Sequence, residues 1–279
     1  MLQQFVKSAV CAGLLLSGSA AAVTWGQPDQ NEHANVGTLL FVQNGVGFFS
    51  CTGTMISSRV MLTAAHCVAE AGNINDVTYV RFEDDALAGL SEAPSLSTWF
   101  DTDWMATETV IPHPQWTDYG EFPMTYDIGV VILSEPYMPS NGFATLPPLD
   151  FLETLKGRDR QVFEVVGYGR QGTLPPTEMN DYEKYKGKVR LLEVYSELSG
   201  NGEASAKFSN NPGVNGGGGT CYGDSGGPTF YKDSNLLVAV TSFGWAKNGN
   251  CVGNDFNYRT DVQDAITFID DVLAQYGDE

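Results

Sequence analysis

The chain is short of basic residues, of histidine and of long apolar runs. Its 279 residues carry 15 Lys and Arg against 34 Asp and Glu, a formal charge of −19. That excess of acid repels phosphate backbones and anionic headgroups, which argues against nucleic acid as a partner. No apolar run reaches the roughly 18 residues of a membrane span. No Asn-x-Ser/Thr sequon and no Cys-x-x-Cys occurs, and the His and Cys residues lack zinc-finger spacing. Asn73 to Asp85 is rich in acids and amides but matches no EF-hand pattern, so no metal is expected. With 42% apolar residues the chain can still bury a large core, which excludes a disordered tail or a disulfide mini-scaffold.

Residues 1–22 read as a secretory leader. Lys7 precedes an apolar stretch over Ala9 to Leu16, and Ala20 and Ala22 meet the small-x-small rule for cleavage. A cut after Ala22 leaves Val23 as the new N-terminus and removes Cys11. Four cysteines then remain, and an even count in a secreted chain implies two disulfides with three connectivities. Cys51 lies near Cys67 in sequence and Cys221 near Cys251, so two local staples are the simplest pairing.

The rest of the chain is punctuated like an all-β protein. Thr38–Val42, Gly47–Ile56, Val60–Ala64, Val77–Phe82, Ile128–Leu133, Val162–Gly167, Val189–Tyr195 and Leu236–Ser242 are short β-rich runs, nearly all bounded by Gly, Pro, Asn or Asp. Val262, Ile266, Ile269, Val272 and Leu273 recur at helical spacing and predict a C-terminal amphipathic helix with Asp264, Asp270 and Asp271 on its wet face. Glu83–Met105 and Gly169–Lys186 read as surface excursions, Asn210–Gly219 as a flexible turn, and Pro147-Pro148 as a crossing between two halves.

The chemistry concentrates in three strings. Gly223-Asp224-Ser225-Gly226-Gly227-Pro228 surrounds one serine with small residues that leave its backbone approachable. A serine hydroxyl needs a base to become a nucleophile, and only His33, His66 and His113 are available, all upstream of Ser225. That order rejects the nucleophile elbow of α/β-hydrolases, whose histidine follows the serine. His66 ends an apolar run in Thr63-Ala64-Ala65-His66-Cys67, whereas His113 sits between prolines and His33 in a polar stretch, both read as surface or structural residues. Asp127 opens Asp127-Ile128-Gly129-Val130-Val131-Ile132-Leu133, and a carboxylate entering a buried strand needs a partner.

Taken together, Thr63–Cys67, Asp127–Leu133 and Gly223–Pro228, in the order His, Asp, Ser, resemble the chymotrypsin-like (trypsin-fold) serine peptidases over nearly the whole chain after the leader. The resemblance implies two Greek-key β-barrels, over 23–148 and 149–279, with the cleft between them and a C-terminal helix. It implies a secreted endopeptidase without metal or organic cofactor, acting on protein or peptide substrates as a monomer and open to proteinaceous inhibitors. His66, Asp127 and Ser225 would form the triad, with the N–H groups of Gly223 and Ser225 as the oxyanion hole. Cys51–Cys67 and Cys221–Cys251 match family disulfides. Val23-Thr24-Trp25-Gly26 resembles a degenerate family N-terminus, so leader removal would set the Val23 ammonium against Asp224 and activate the enzyme.

The resemblance also locates the primary pocket. Gly219 stands where trypsin-like members carry an acid, which does not support an Arg/Lys pocket of the usual kind. Gly244 would leave the mouth open and Ser242 would border Asp127. The far wall falls at Asp255 or Phe256: Phe256 would shorten the pocket for apolar side chains, Asp255 would offer a charge to a basic one, and the lean is towards apolar. Thr220 suggests a glutamyl endopeptidase, but that group uses a histidine where Thr241 stands. The alternative to an enzyme is a homologue that keeps the fold for binding, a class that commonly loses a triad member, whereas this chain has all three.

Overall fold

The computed structural model describes residues 23–43, 46–69, 77–117, 125–173, 181–195, 204–211, 217–245 and 250–277; the expected leader lies outside them. A strap from Val23 to Asn35 leads in and contributes β1 (Gln27–Pro28). Then follow β2 (Val36–Gln43), β3 (Val46–Met55), β4 (Val60–Thr63), α1 (Ala65–Ala69), β5 (Val77–Arg81), α2 (Leu96–Asp103), β6 (Met105–Pro112) and β7 (Gly129–Leu133). Strands β2 to β7 close into an antiparallel barrel in the order β2-β3-β4-β7-β6-β5. The remaining elements are α3 (Phe151–Thr154), β8 (Phe163–Gly167), β9 (Tyr185–Val189), β10 (Leu191–Glu193), β11 (Ser205–Asn210), β12 (Pro228–Tyr231), β13 (Leu237–Trp245), β14 (Gly253–Arg259) and α4 (Gln263–Tyr276). Their strands and β1 form an eight-stranded sheet ordered β1-β9-β8-β12-β13-β14-β11-β10. The expected all-β architecture is therefore present as one closed barrel, a second sheet and the C-terminal helix.

Side-chain alternation explains how barrel and sheet meet. In the β4–β7 pair, Val60 faces Ile132 and Leu62 faces Val130, while Met61 faces Val131. Val60, Leu62, Val130 and Ile132 belong to an apolar layer shared with Val166, Phe230, Val240 and Tyr258 of the second sheet. Met61 and Val131 point the other way, among Leu39, Met55 and Val80 inside the barrel. A strand buried on both faces reads as a continuous apolar run, as Gly129–Leu133 does. The β4–β7 pair thus forms the wall between the halves, and residues leaving its ends stand at the seam.

Helix α4 covers that shared layer with Ala265, Phe268, Ile269 and Val272, and leaves Asp264, Asp270 and Asp271 exposed. The first excursion, expected as a surface loop, carries α2, capped by Ser95 Oγ accepting from Thr98 N at 3.2 Å. Trp99 and Trp104 pack with Leu40 into a small core of their own. The Arg81 guanidinium lies 5.6 Å and 5.8 Å from those two rings, a cation–π pair of contacts in a nearly dry setting.

A buried ammonium ties the halves together. Lys184, just before β9, donates from Nζ to the carbonyls of His33 (3.1 Å), Phe82 (3.0 Å) and Val36 (3.4 Å), with Asp84 at 3.3 Å. Its charge is held by one strap carbonyl, two barrel carbonyls and the carboxylates of Asp29 (4.0 Å) and Asp84, which offset part of the burial that pulls its pKa down.

Candidate active site

Four segments meet at the seam. His66 is on the short helix α1 directly after β4, and Asp127 directly precedes β7, so the register of the β4–β7 pair sets their spacing. The Asp127 side chain is wholly buried and is met from three directions. His66 Nδ1 lies 2.8 Å from Asp127 Oδ2 and 3.1 Å from Oδ1, and the His66 backbone N–H donates to Oδ1 at 2.9 Å. Ser242 Oγ, at an irregularity in β13, donates to Oδ2. These contacts orient the ring and leave its Nε2 edge towards the cleft, where Cys67 Sγ is 3.7 Å away. Trp116 stands beside the imidazole, with ring centroids 6.3 Å apart.

The serine loop requires its glycines. Gly223 has φ +103° and Gly226 φ +78°, a region that side chains other than glycine rarely adopt. At Gly226 an added Cβ would also lie 2.0 Å from Thr63 Oγ1. Backbone bonds fasten the loop to both halves: Thr52 N donates to Ser225 O at 2.8 Å, and Gly226 N to Thr241 O at 2.7 Å. Thr52 Oγ1 donates to Gly223 O at 3.0 Å. Ser225 and His66 line one open cavity of about 440 Å³.

Both expected disulfides are formed, Cys51–Cys67 and Cys221–Cys251. Cys67 adjoins His66 and Cys221 the serine loop, so the staples hold the cleft walls. Cys51, His66 and Cys67 are the one cluster of metal-binding residue types among the described residues. Both sulfurs are spent in the disulfide, which leaves no thiolate to bind an ion.

Of the expected pocket residues, Thr220, Ser242, Gly244 and Asp255 line the cavity together with Tyr222, Trp245 and Val252. Gly219 does not line it: the Asn210 side chain fills the space beside this glycine, where a Cβ would lie 2.0 Å from Asn210 Oδ1. Phe256, on the neighbouring position of β14, stacks on Phe243 with centroids 4.9 Å apart, while Asp255 opposes Gly244 and faces the cavity. Asn210 carries no motif and was expected in a flexible turn; it ends β11 and is wholly buried.

Asp224 is buried beneath the loop, with Oδ1 accepting from Gly169 N and Oδ2 from Cys221 N, each at 2.8 Å. Burial raises its pKa to about 7, those two N–H bonds pull it back in part, and the nearby Asp255 charge adds to the rise. The strap carries Val23 into the core of the second sheet, and Thr24 N donates to Gly219 O at 2.9 Å. The other two histidines are structural and buried. His33 Nδ1 lies 2.5 Å from Asp29 Oδ1, and the His113 ring stacks on Tyr126.

A family model described as Trypsin matches residues 23–269. The chain belongs to the trypsin family. Among curated proteins it is 29% identical over 235 residues to a phenoloxidase-activating enzyme of Bombyx mori, covering 71% of this chain and 49% of that protein. It is 28% identical over 207 residues to CLIP domain-containing serine protease B15 of Anopheles gambiae, covering 70% and 54%. The chain thus spans about half the length of these two relatives. A collagenase of Hypoderma lineatum is 25% identical over 208 residues, covering 69% of this chain and 65% of that protein. Among solved structures, one titled HL collagenase matches 93% of this trypsin-family chain and all of its own, with a TM-score of 0.63 at 18% identity. Human heparin binding protein matches 92% of this chain and 99% of its own, also with a TM-score of 0.63, at 17% identity. Likeness at these identities speaks for the fold alone.

Proposed function

We propose that this trypsin-family protein is a secreted serine endopeptidase that hydrolyses peptide bonds through an acyl-enzyme on Ser225. The observation that carries this reading is the Asp127 carboxylate, buried and shared between His66 and Ser242, with the oriented imidazole on the same cavity as Ser225. In the first step Ser225 Oγ bonds to the scissile carbonyl carbon as His66 Nε2 takes the hydroxyl proton. The Gly223 and Ser225 N–H groups donate to the oxyanion. Collapse breaks the C–N bond, and the His66 proton passes to the leaving amine. Water then attacks the ester, with His66 again as base, and Ser225 is regenerated. The Asp127 carboxylate holds the ring in place and stabilises the imidazolium.

Activation follows from the strap. Cleavage before Val23 would create an ammonium at the head of the strap; its pairing with Asp224, which has no cationic partner among the described residues, would fix the loop bearing the oxyanion donors. The two disulfides accord with an oxidising compartment, and no described helix is long and apolar enough to cross a membrane.

The second reading is a silent binding homologue, suggested by a structural neighbour named for binding heparin. A formal charge of −19 works against a polyanionic ligand of that kind. The test is labelling of the purified chain beginning at Val23 with a fluorophosphonate, beside Ser225→Ala and heat-denatured controls. Adduct confined to Ser225 of the folded protein is expected. No adduct on a correctly started chain overturns the enzyme reading in favour of the binding homologue.

A further inference from the structure

We infer that Thr52, a residue of the closed barrel that lies outside all three motif strings, is a positioning residue for the serine loop: it holds the carbonyls of both Gly223 and Ser225 and so aims the N–H groups of those same two residues into the cleft. The inference rests on the peptidase reading, which supplies the oxyanion those groups would meet.

Thr52 is wholly buried in β3, opposite Thr38 of β2, and every polar atom it owns is engaged where the two halves meet. Its N–H donates to Ser225 O at 2.8 Å, and its Oγ1 donates to Gly223 O at 3.0 Å. The same Oγ1 accepts from Tyr168 N at 3.3 Å, and the Thr52 carbonyl accepts from Thr63 Oγ1 at 2.8 Å. One hydroxyl therefore joins the serine loop to the segment that follows β8. Those two segments also enclose Asp224, which accepts from Gly169 N and leaves no room there: a Cβ on Gly169 would lie 2.6 Å from Asp224 Cγ.

Gly223 needs such an anchor. At φ +103° and without a side chain, nothing of its own limits how its peptide units turn. The chain before it is tied at Cys221, whose N–H donates to Asp224 Oδ2 and whose carbonyl accepts from Asp224 N. The chain after it is tied by the Thr52 hydroxyl. Without that hydroxyl, Gly223 O and Tyr168 N–H lose a partner beside a dry side chain, and the loop gains by turning to replace it. A displacement of about 1 Å in a reacting group can cost about a hundredfold in rate. The loss falls on the step in which charge develops, because the donors are aimed at the oxyanion and not at the carbonyl of the bound substrate.

The test follows labelling of Ser225 by a fluorophosphonate on the chain beginning at Val23. Ser225 Oγ displaces fluoride from phosphorus and the phosphonyl oxygen takes the oxyanion position, so the reaction needs the loop geometry but no substrate side chain. Rates across reagent concentration separate the maximal labelling rate from the half-saturating concentration. Thr52→Val keeps the branched shape and removes only the hydroxyl; it is expected to lower the maximal rate by about tenfold to a hundredfold with the half-saturating concentration within about twofold. Thr52→Ser keeps the hydroxyl and is expected within about threefold of the native rate, while Thr52→Ala, which differs from it by that hydroxyl alone, repeats the loss. The pH dependence of labelling, set by His66, keeps its midpoint throughout. An unchanged maximal rate in Thr52→Val, equal losses in the valine and serine variants, a loss confined to the half-saturating concentration, or a displaced midpoint each overturns the proposal. Should Thr52→Val fail to fold, the serine and alanine pair decides. A native chain that takes no label sinks the peptidase reading and this role with it; a labelled native chain beside an equally fast Thr52→Val sinks this role alone.

Discussion

Ser242 and His66 share one carboxylate: the serine hydroxyl and the imidazole Nδ1 both reach Asp127 Oδ2. Because each contact fixes the other's acceptor, the two residues differ in what their loss should cost. Asp127→Asn replaces an acceptor with an amide that favours the wrong imidazole tautomer, and kcat should fall by about 10⁴ with the fold kept. Ser242→Ala removes one bond to a charged acceptor, worth about 1.5–3 kcal/mol, and should lower kcat by about a hundredfold or less. Steady-state kinetics across pH on both variants checks the ranking; an unchanged rate in Asp127→Asn would remove the triad assignment.

Adding a single alanine before Val23 should depress activity by at least about tenfold, since the amide that replaces the ammonium cannot pair with Asp224. Asp224→Asn should do the same to the native form. Equal activity of the extended and native chains would disprove activation by leader removal.

The buried acids also predict how stability depends on pH. Asp224 at about 7 and Asp255 at about 6 hold protons in the native state that the unfolded chain has already released above its ordinary carboxylate range near 4. Stability should therefore fall as pH rises from about 4 to 7. A Val23 ammonium draws Asp224 back down, so the decline should be shallower in the native form than in the alanine-extended one. Thermal melts at pH 4.5 and 7.5 compare them, and general acid repulsion cancels between the two forms; parallel slopes would contradict the pairing.

Trp99 has its indole N–H on Ala88 O at 3.0 Å and its ring under Arg81. Trp99→Ala should cost about 3–5 kcal/mol in denaturant unfolding while leaving kcat within about twofold, because Trp99 packs on Arg81, Ala88, Phe100 and Trp104, none of them a cleft residue. A large change in kcat with little loss of stability would show instead that the excursion serves the site.

The legible parts of this molecule were those where chemistry constrains composition. Ser225 needs glycines at φ +103° and +78°, His66 adjoins a disulfide, and Asp127 stands at the mouth of an apolar strand, so each carries a local pattern. Strand β14 carried none. Its Asn257 and Arg259 are polar yet buried: Asn257 Nδ2 donates to Thr229 Oγ1, 28 residues back, and Arg259 pairs with Asp261, two residues on, and with Glu153, 106 residues away, so the distant partners come near only in the folded chain. The same holds for Asn210, whose role depends on Thr24 and Asp255, 186 and 45 residues away. Strand β11 went unread because Ser205–Asn210 lacks β-branched residues, and α2 because two tryptophans in an acidic stretch do not reveal what they pack on.

The Lys184 ammonium, gathering carbonyls from His33, Val36 and Phe82, has a further consequence for how the molecule comes apart. Pulling the halves away from each other takes from that charge the carbonyls and carboxylates that hold it, and leaves three carbonyls without their donor. Separation and melting of the halves are thereby fused into one event. The chain should unfold as a single cooperative unit, and either half produced alone should fail to fold.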